Sequence, residues 1–247
     1  MASIAVEHLT KRYASGTLAL EDINLEIADG EFVAVVGPSG SGKSTLLRIM
    51  AGLDVPTAGH VRFGGMAGKE EELSSAVVFQ EESLFPWLRV DENVTIAFDA
   101  LRVPRTDVRR RVQRTLALVG LEDYARAWPH ELSGGMKQRV AVARAFAVDA
   151  PILFMDEPFG ALDEQTRVGL VNELMRLWER SRQTVVFITH SIEEAVTLAD
   201  RVVVLSTHPG RVKEVLHVAF PRPRDAVTIR GGPAFGELVV KIWDLLR

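Results

Sequence analysis

Cysteine is absent from the 247-residue chain. That removes disulfide scaffolds, thiolate metal sites and cysteine nucleophiles from the functions open to it. An excess of one charge is also lacking: 29 Lys and Arg stand against 33 Asp and Glu, a net charge of −4. This balance weighs against a protein whose main task is to grip nucleic acid. Long apolar runs are missing too. Phe32–Val36 and Val202–Leu205 fall far short of the roughly 20 residues that cross a bilayer, so a chain soluble on its own is expected. The opening Met1–His8 has no basic region followed by an apolar run, so no secretory signal is expected. Fixed-period repeats and low-complexity tracts are absent as well.

What is present is alternation of two periods. Ile4, Val6 and then Leu18–Ile27 show the near-alternation of strands, closed by the turn-forming Ala28-Asp29-Gly30. Phe32–Val36 is continuously apolar, as expected of a strand covered on both faces, and His60–Phe63 reads as a short strand. Helical character is predicted for Thr45–Leu53, for the stretch carrying Val108, Val112, Leu116 and Val119, and for Val140–Val148. After the buried strand Ile152–Met155, one helical face gathers Val168, Val171, Leu174, Met175 and Trp178. A strand at Thr184–Thr189, a helix at Ile192–Leu198 with a Ser191…Glu194 capping box, and a strand at Arg201–Leu205 follow. A terminal helix is expected at Ala234–Leu246. Strands alternating with helices imply an α/β fold with a mainly parallel sheet.

Gly37-Pro38-Ser39-Gly40-Ser41-Gly42-Lys43-Ser44, followed by Thr45, fits the phosphate-loop pattern between a predicted strand and a predicted helix. Glycines let successive backbone N–H groups curl around an anion, and the helix N-terminus adds its positive end. Lys43 can reach the β- and γ-phosphates of a nucleotide, and the Ser44 hydroxyl can ligate Mg²⁺. Such a metal also needs a carboxylate, and hydrolysis needs a group that orients water. Asp156 and Glu157 end the apolar run Ile152–Met155; Asp156 is assigned to Mg²⁺ and Glu157 to water activation. Spacing alone does not settle which carboxylate does which, and an acidic pair at a strand end is in isolation only a cap.

Leu132-Ser133-Gly134-Gly135-Met136-Lys137-Gln138 resembles the signature sequence of ATP-binding cassette (ABC) proteins. Tyr13, the phosphate loop, Gln80, this signature, Asp156-Glu157, Ala161-Leu162-Asp163 and His190 occur in that family's order along the whole chain. The resemblance implies a P-loop NTPase fold, with a mainly parallel core sheet, an antiparallel β subdomain and an inserted helical subdomain. It implies one cassette: residues 1–87 and 149–230 as core and β subdomain, 88–148 as helical subdomain, 231–247 as a C-terminal helix. By the same resemblance Tyr13 stacks on adenine, the competing reading being a strand-end core tyrosine. Gln80 touches Mg²⁺ or the attacking water, and His190 contacts the γ-phosphate. Ser133, Gly134 and Gly135 of one copy close over ATP held by Gly37–Thr45 of a second copy, with Asp163 at that homodimer interface. ATP and Mg²⁺ are the implied cofactors.

No fused membrane domain, inserted coiled coil, zinc-binding cysteines or second cassette is seen, so a separate ATPase subunit of a bacterial importer is the expected type. Phe79-Gln80-Glu81-Glu82-Ser83-Leu84-Phe85-Pro86-Trp87, with His208-Pro209-Gly210-Arg211 and Phe220-Pro221-Arg222-Pro223-Arg224, resembles the nitrate/sulfonate/taurine importer group. That resemblance implies contact of Leu84, Phe85 and Trp87 with an integral-membrane permease, an indirect link to a solute-binding protein, and a place on the cytoplasmic face of the cell membrane. The bland alternative for these three is core of the helical subdomain. The basic run Arg102, Arg105, Arg109, Arg110, Arg111 and Arg114, interleaved with Val108, Val112 and Leu116, reads as the solvated face of an amphipathic helix, and no nucleic-acid partner is expected. The rivals are a soluble ABC ATPase acting on nucleic acid or a macromolecular complex, and a phosphoryl transferase, which the signature disfavours.

Overall fold

In the computed structural model, described for residues 2–64, 75–80, 83–99, 105–160 and 162–247, nine strands form two sheets. Glu81, Glu82, Arg102 and Ala161, and the side chain of Arg105, lie outside the described residues. β1 (Ser3–Arg12) and β2 (Leu18–Ile27) pair antiparallel, and β4 (Ala58–Gly64) pairs antiparallel on the other edge of β1. Alternation buries Ile4, Val6 and Leu9 from β1 and Leu20, Ile23, Leu25 and Ile27 from β2.

The second sheet has the order β5-β6-β7-β3-β8-β9. Its members are β3 (Phe32–Val36), β5 (Ser75–Val78), β6 (Ile152–Asp156), β7 (Thr184–Ile188), β8 (Arg201–Leu205) and β9 (Val212–His217), all parallel except β9. The apolar run of β3 is explained by what covers it. Phe32, Ala34 and Val36 pack with α5 (Glu164–Ser181), α6 (Ile192–Leu198) and α8 (Pro233–Leu246) on one face. Val33 and Val35 pack with α1 (Lys43–Met50) and the antiparallel sheet on the other. Trp178 of α5 meets Phe32 edge-on at 5.5 Å between ring centroids, and its indole N–H donates to the Gln183 carbonyl.

A third core joins α2 (Val90–Asp99), α3 (Arg105–Leu118) and α4 (Gly134–Ala147), through Val94, Phe98, Val112, Leu116 and Val140, and reaches α5 only by Leu177. Buried Asn93 fastens the segment before α2. Its amide donates to the carbonyls of Phe85, Leu88 and Arg89, and its side-chain oxygen accepts from the Phe85 N–H.

The expected elements differ from the structure mostly at their ends, whereas the strands β5 and β9 were not expected. α1 starts at Lys43 rather than Thr45 because Gly42, in the left-handed region at φ 83°, already serves as its N-cap. It stops at Met50, where Gly52 at φ 71° turns the chain. α4 starts at Gly134, capped by Ser133, six residues before the expected Val140. A short α7 (Ala226–Arg230), capped by Asp225, precedes α8 and was not expected. The segment between β9 and α7 is tied down by Arg224, whose buried guanidinium donates to the carbonyls of Thr197, Ala199, Val218 and Phe220. Arg222 lies over Trp178 at 4.1 Å and donates to Asp200.

Replacing Arg224 with Met leaves four carbonyls short of a charged donor. Arg224→Met is expected to lower the unfolding free energy by about 3 kcal/mol, read from urea denaturation, without altering the slope.

Candidate functional site

Three adjacent strands, β6, β7 and β3, end side by side, and the residues that follow each of them meet. After β3 comes the phosphate loop. Gly40 and Gly42 sit at φ 78° and 83°, and a Cβ on Gly42 would lie 2.6 Å from Leu20 and 2.9 Å from the Ala19 carbonyl. A side chain there would be both strained and blocked. The loop leads into the N-terminus of α1, where Lys43 folds back and donates to the carbonyls of Gly37 (2.8 Å) and Pro38 (3.1 Å). Burial pushes the Lys43 ammonium below the usual lysine value; the Glu157 and Asp156 carboxylates pull it back up in part. The Ser41 hydroxyl is buried with no hydrogen-bond partner.

At the end of β6, the Ser44 hydroxyl donates to Asp156 at 3.1 Å. Burial raises the Asp156 carboxyl above the usual range; the Ser44 bond lowers it, Glu157 raises it further, and Lys43 and Arg48 oppose. Glu157 has a left-handed backbone at φ 45°, held by its N–H on the Ile188 carbonyl of β7 and by its carbonyl on the Gly160 N–H. A non-glycine residue in that region is strained, and such strain persists where surrounding structure over-determines it. Its side chain meets two of the expected partners. Gln80 donates to Glu157 Oε2 at 3.2 Å, and His190 Nδ1 lies 3.3 Å from the same oxygen. Tyr13 is 39% exposed, not core, and its hydroxyl lies 3.0 Å from the Thr45 hydroxyl beside the loop, with the Lys11 ammonium over the ring at 5.0 Å.

Ser133, Gly134 and Gly135 are placed elsewhere. Ser133 caps α4, accepting from the Met136 N–H, and a Cβ on Gly135 would press on Thr166 of α5. Asp163 caps α5 by accepting from the Thr166 N–H, a bond that lowers its carboxyl below the ordinary value. Among the described residues, no hydrogen bond or ion pair links Ser133–Gly135 to Gly37–Thr45. Leu84, Phe85 and Trp87 divide: Leu84 is half-buried against the core, whereas Trp87 is 69% exposed with Phe85 at 5.6 Å. Arg144 sits over Phe85 and donates to both the carbonyl and hydroxyl of Ser83, support that no sequence signal announced.

The donor set fits a magnesium ion. Ser44 in the first turn of α1 and Asp156 at the end of β6 offer one hydroxyl and one carboxylate to the same place. Among the described residues no group of three or more His, Asp or Glu could hold a metal alone. Mg²⁺ is commonly held by one or two protein oxygens, with phosphates and water completing the octahedron.

Behind His190 lies a support that sequence reasoning assigned otherwise. Ser191 caps α6 by accepting from the Glu194 N–H, but the Glu194 side chain does not close the capping box. It turns inward to accept from the Thr189 hydroxyl and faces Arg167 at 3.5 Å, while the Ser191 N–H donates to Thr189. Burial raises the Glu194 carboxyl above the ordinary value; the Thr189 bond, Arg167 and His190 lower it and Glu164 raises it. A raised folded-state value means that charged Glu194 costs stability above that value and that the cost vanishes as pH falls through it. Glu194→Gln should therefore gain melting temperature relative to wild type at about pH 7.5 and lose that advantage near about pH 4. A pH-independent difference between the two melting curves would exclude this account.

The chain's relatives agree with one another. A family model described as ABC transporter matches residues 20–160. An uncharacterized ABC transporter ATP-binding protein of Methanocaldococcus jannaschii is 46% identical over 99% of this chain and 91% of its own length. A nitrate import ATP-binding protein of Synechococcus elongatus is 43% identical over 93% of this chain and 85% of its own. A bicarbonate transport ATP-binding protein of Synechocystis is 42% identical over 96% and 86%. The dimeric structure of a bacterial ABC transporter cassette superposes with a TM-score of 0.77 at 35% identity, over 88% of this chain and all of that one. A post-hydrolysis dimer bound to ADP and Pi gives the same values. With a phosphate loop, a signature helix and paired strand-end carboxylates in one fold, the chain belongs to the ABC transporter family and is an ATP hydrolase of the ATP-binding cassette type.

Proposed function

We propose that this ATPase powers uptake of a small solute through a separate membrane permease, working as a head-to-tail homodimer on the cytoplasmic face. The observation that carries the reading is the convergence of Gln80 and His190 on one oxygen of Glu157, beside the Ser44–Asp156 pair. In this reading Gly37–Thr45 and Lys43 hold the phosphates, and Tyr13 stacks on the base. Glu157 orients water and takes up its proton, Gln80 fixes the water's position, and His190 donates to the γ-phosphate. Mg²⁺ on Ser44, Asp156 and Gln80, when bound, neutralises charge on the phosphate oxygens. Ser133, Gly134, Gly135 and Asp163 act on the nucleotide of the second copy, which accords with their separation from the loop in their own chain.

The solute class rests on the relatives named for nitrate and bicarbonate; nitrate, sulfonate, taurine or a related small solute fits that group. No described helix is long and apolar enough to cross a membrane, and in this reading the pore belongs to the permease. Exposed Trp87, braced through Phe85 by Arg144 and through Asn93 by α2, is suited to anchor a helix of that permease.

Glu157→Gln keeps the hydrogen-bonding geometry and removes the proton acceptor. It should lower turnover by about 10²–10⁴-fold and leave an ATP-bound dimer on gel filtration. A monomer with normal turnover would refute the assignment. Trp87→Ala should reduce co-purification with the permease by about tenfold while leaving ATP affinity unchanged. Equal recovery of the permease would remove Trp87 from the interface.

A further inference from the structure

The described arginines of the basic run on α3 are exposed, as expected, and three of them border a groove. Arg110, Arg111 and Arg114 share one side of the helix and, with Arg180 of α5, line a groove of about 610 Å³. Its floor is apolar: Leu118, Phe146 of α4 and Leu177. Arg110 has only a 3.8 Å approach to Asp107, and Arg111, Arg114 and Arg180 make no side-chain ion pair or hydrogen bond among the described residues. The Thr115 hydroxyl is turned to the Arg111 carbonyl. One carboxylate, Asp149, also lines the groove. Like charges three and four residues apart on a helix repel, so this arrangement costs stability until something anionic enters. The volume is that of a small-molecule site.

We propose that this groove binds an organic phosphate: a phosphate monoester held by the guanidinium forks, with its apolar body on Phe146, Leu118 and Leu177. A dianionic phosphate matches several converging guanidiniums better than a single carboxylate, because each fork can donate in a bidentate manner. The apolar floor calls for a ligand that is more than a bare ion. A soluble phosphorylated metabolite and the headgroup of phosphatidic acid both carry this chemistry. The site is separate from the ATP site. The groove lies toward the C-terminal ends of α4 and α5, whose N-terminal ends carry Ser133 and Asp163, and α4 alone, with its 14 residues, spans about 20 Å.

The test uses the full chain saturated with Mg·ADP, titrated with 1-naphthyl phosphate in a calorimeter. In parallel, phosphatidylcholine vesicles with and without phosphatidic acid are sedimented with the protein. The expected result is binding of at least one probe, weakened about tenfold or more in Arg111→Gln/Arg114→Gln and in Arg180→Gln, and tightened in Asp149→Asn. ATP turnover should match wild type and the melting temperature should not fall, since these side chains are exposed and the arginines repel one another. Naphthyl phosphate binding alone assigns a soluble ligand; retention on phosphatidic acid vesicles assigns the lipid. The proposal is overturned if neither probe binds, if the substitutions leave binding unchanged, or if polyglutamate binds this groove and the phosphates do not.

Discussion

A parallel strand covered on both faces has no polar outlet along its length; its backbone is paired sideways and its side chains are sealed above and below. Only where the cover stops can the chain turn polar, and at that point the next amides need partners. β3 imposes this constraint on the whole molecule, because Phe32, Ala34 and Val36 are buried in one core and Val33 and Val35 in another. The loop that follows must therefore emerge at the carboxyl edge of the sheet, as must those after its neighbours β6 and β7. Strand order β6-β7-β3 thus brings Asp156, Glu157, His190 and Lys43 to one edge, although they span nearly 150 residues of sequence.

The same edge is electrostatically unsettled. Burial disfavours the charge on Lys43 and on Asp156, so each is moved toward its neutral form, and each draws only partial relief from the other. The Ser41 hydroxyl is buried without a partner, and Glu157 holds a strained backbone. The buried charge of Arg224 is handled differently: its guanidinium donates to four carbonyls in the tail. Polar groups left short at this edge suit a phosphate-binding site, since a bound anion and its metal can supply the missing partners.

Legibility in the sequence followed the physics of each signal. Continuous apolar runs and the phosphate loop are local, and β3, β6, β7 and β8 lie where their residues indicate. Helix ends shifted where a left-handed glycine or a serine cap, rather than hydrophobic period, sets the boundary, as at Gly42 and Ser133. The inward turn of Glu194 was not legible, because Ser191…Glu194 has the spacing of a capping box and the carboxylate is diverted by the buried Thr189 hydroxyl and by Arg167 of α5. Nor was the groove of α3 legible. Period showed that Arg110, Arg111 and Arg114 share a face, but Arg180 arrives from α5, some 66 residues later, through tertiary packing alone.

The three cores also explain how a site at one sheet edge can be linked to distant surfaces. α2, α3 and α4 share a core of their own that meets α5 mainly at Leu177, while Ala141, Val142 and Ala145 of α4 are also buried in the sheet's core with Val78 and Met155, so α4 is the joint between the helical unit and the sheet. Two structures report on its position. Gln80 reaches Glu157 on the sheet side, and just beyond it Ser83 is held by Arg144 of α4. Arg144 thereby ties α4 directly to Ser83 and Phe85. Ser133 caps the same helix that carries Arg144, so the cap proposed to meet a second copy's nucleotide and the segment carrying Trp87 share one support. In the proposed reading, a second copy's nucleotide at Ser133 and a permease at Trp87 would act on one helix from its two ends, which calls for no long pathway.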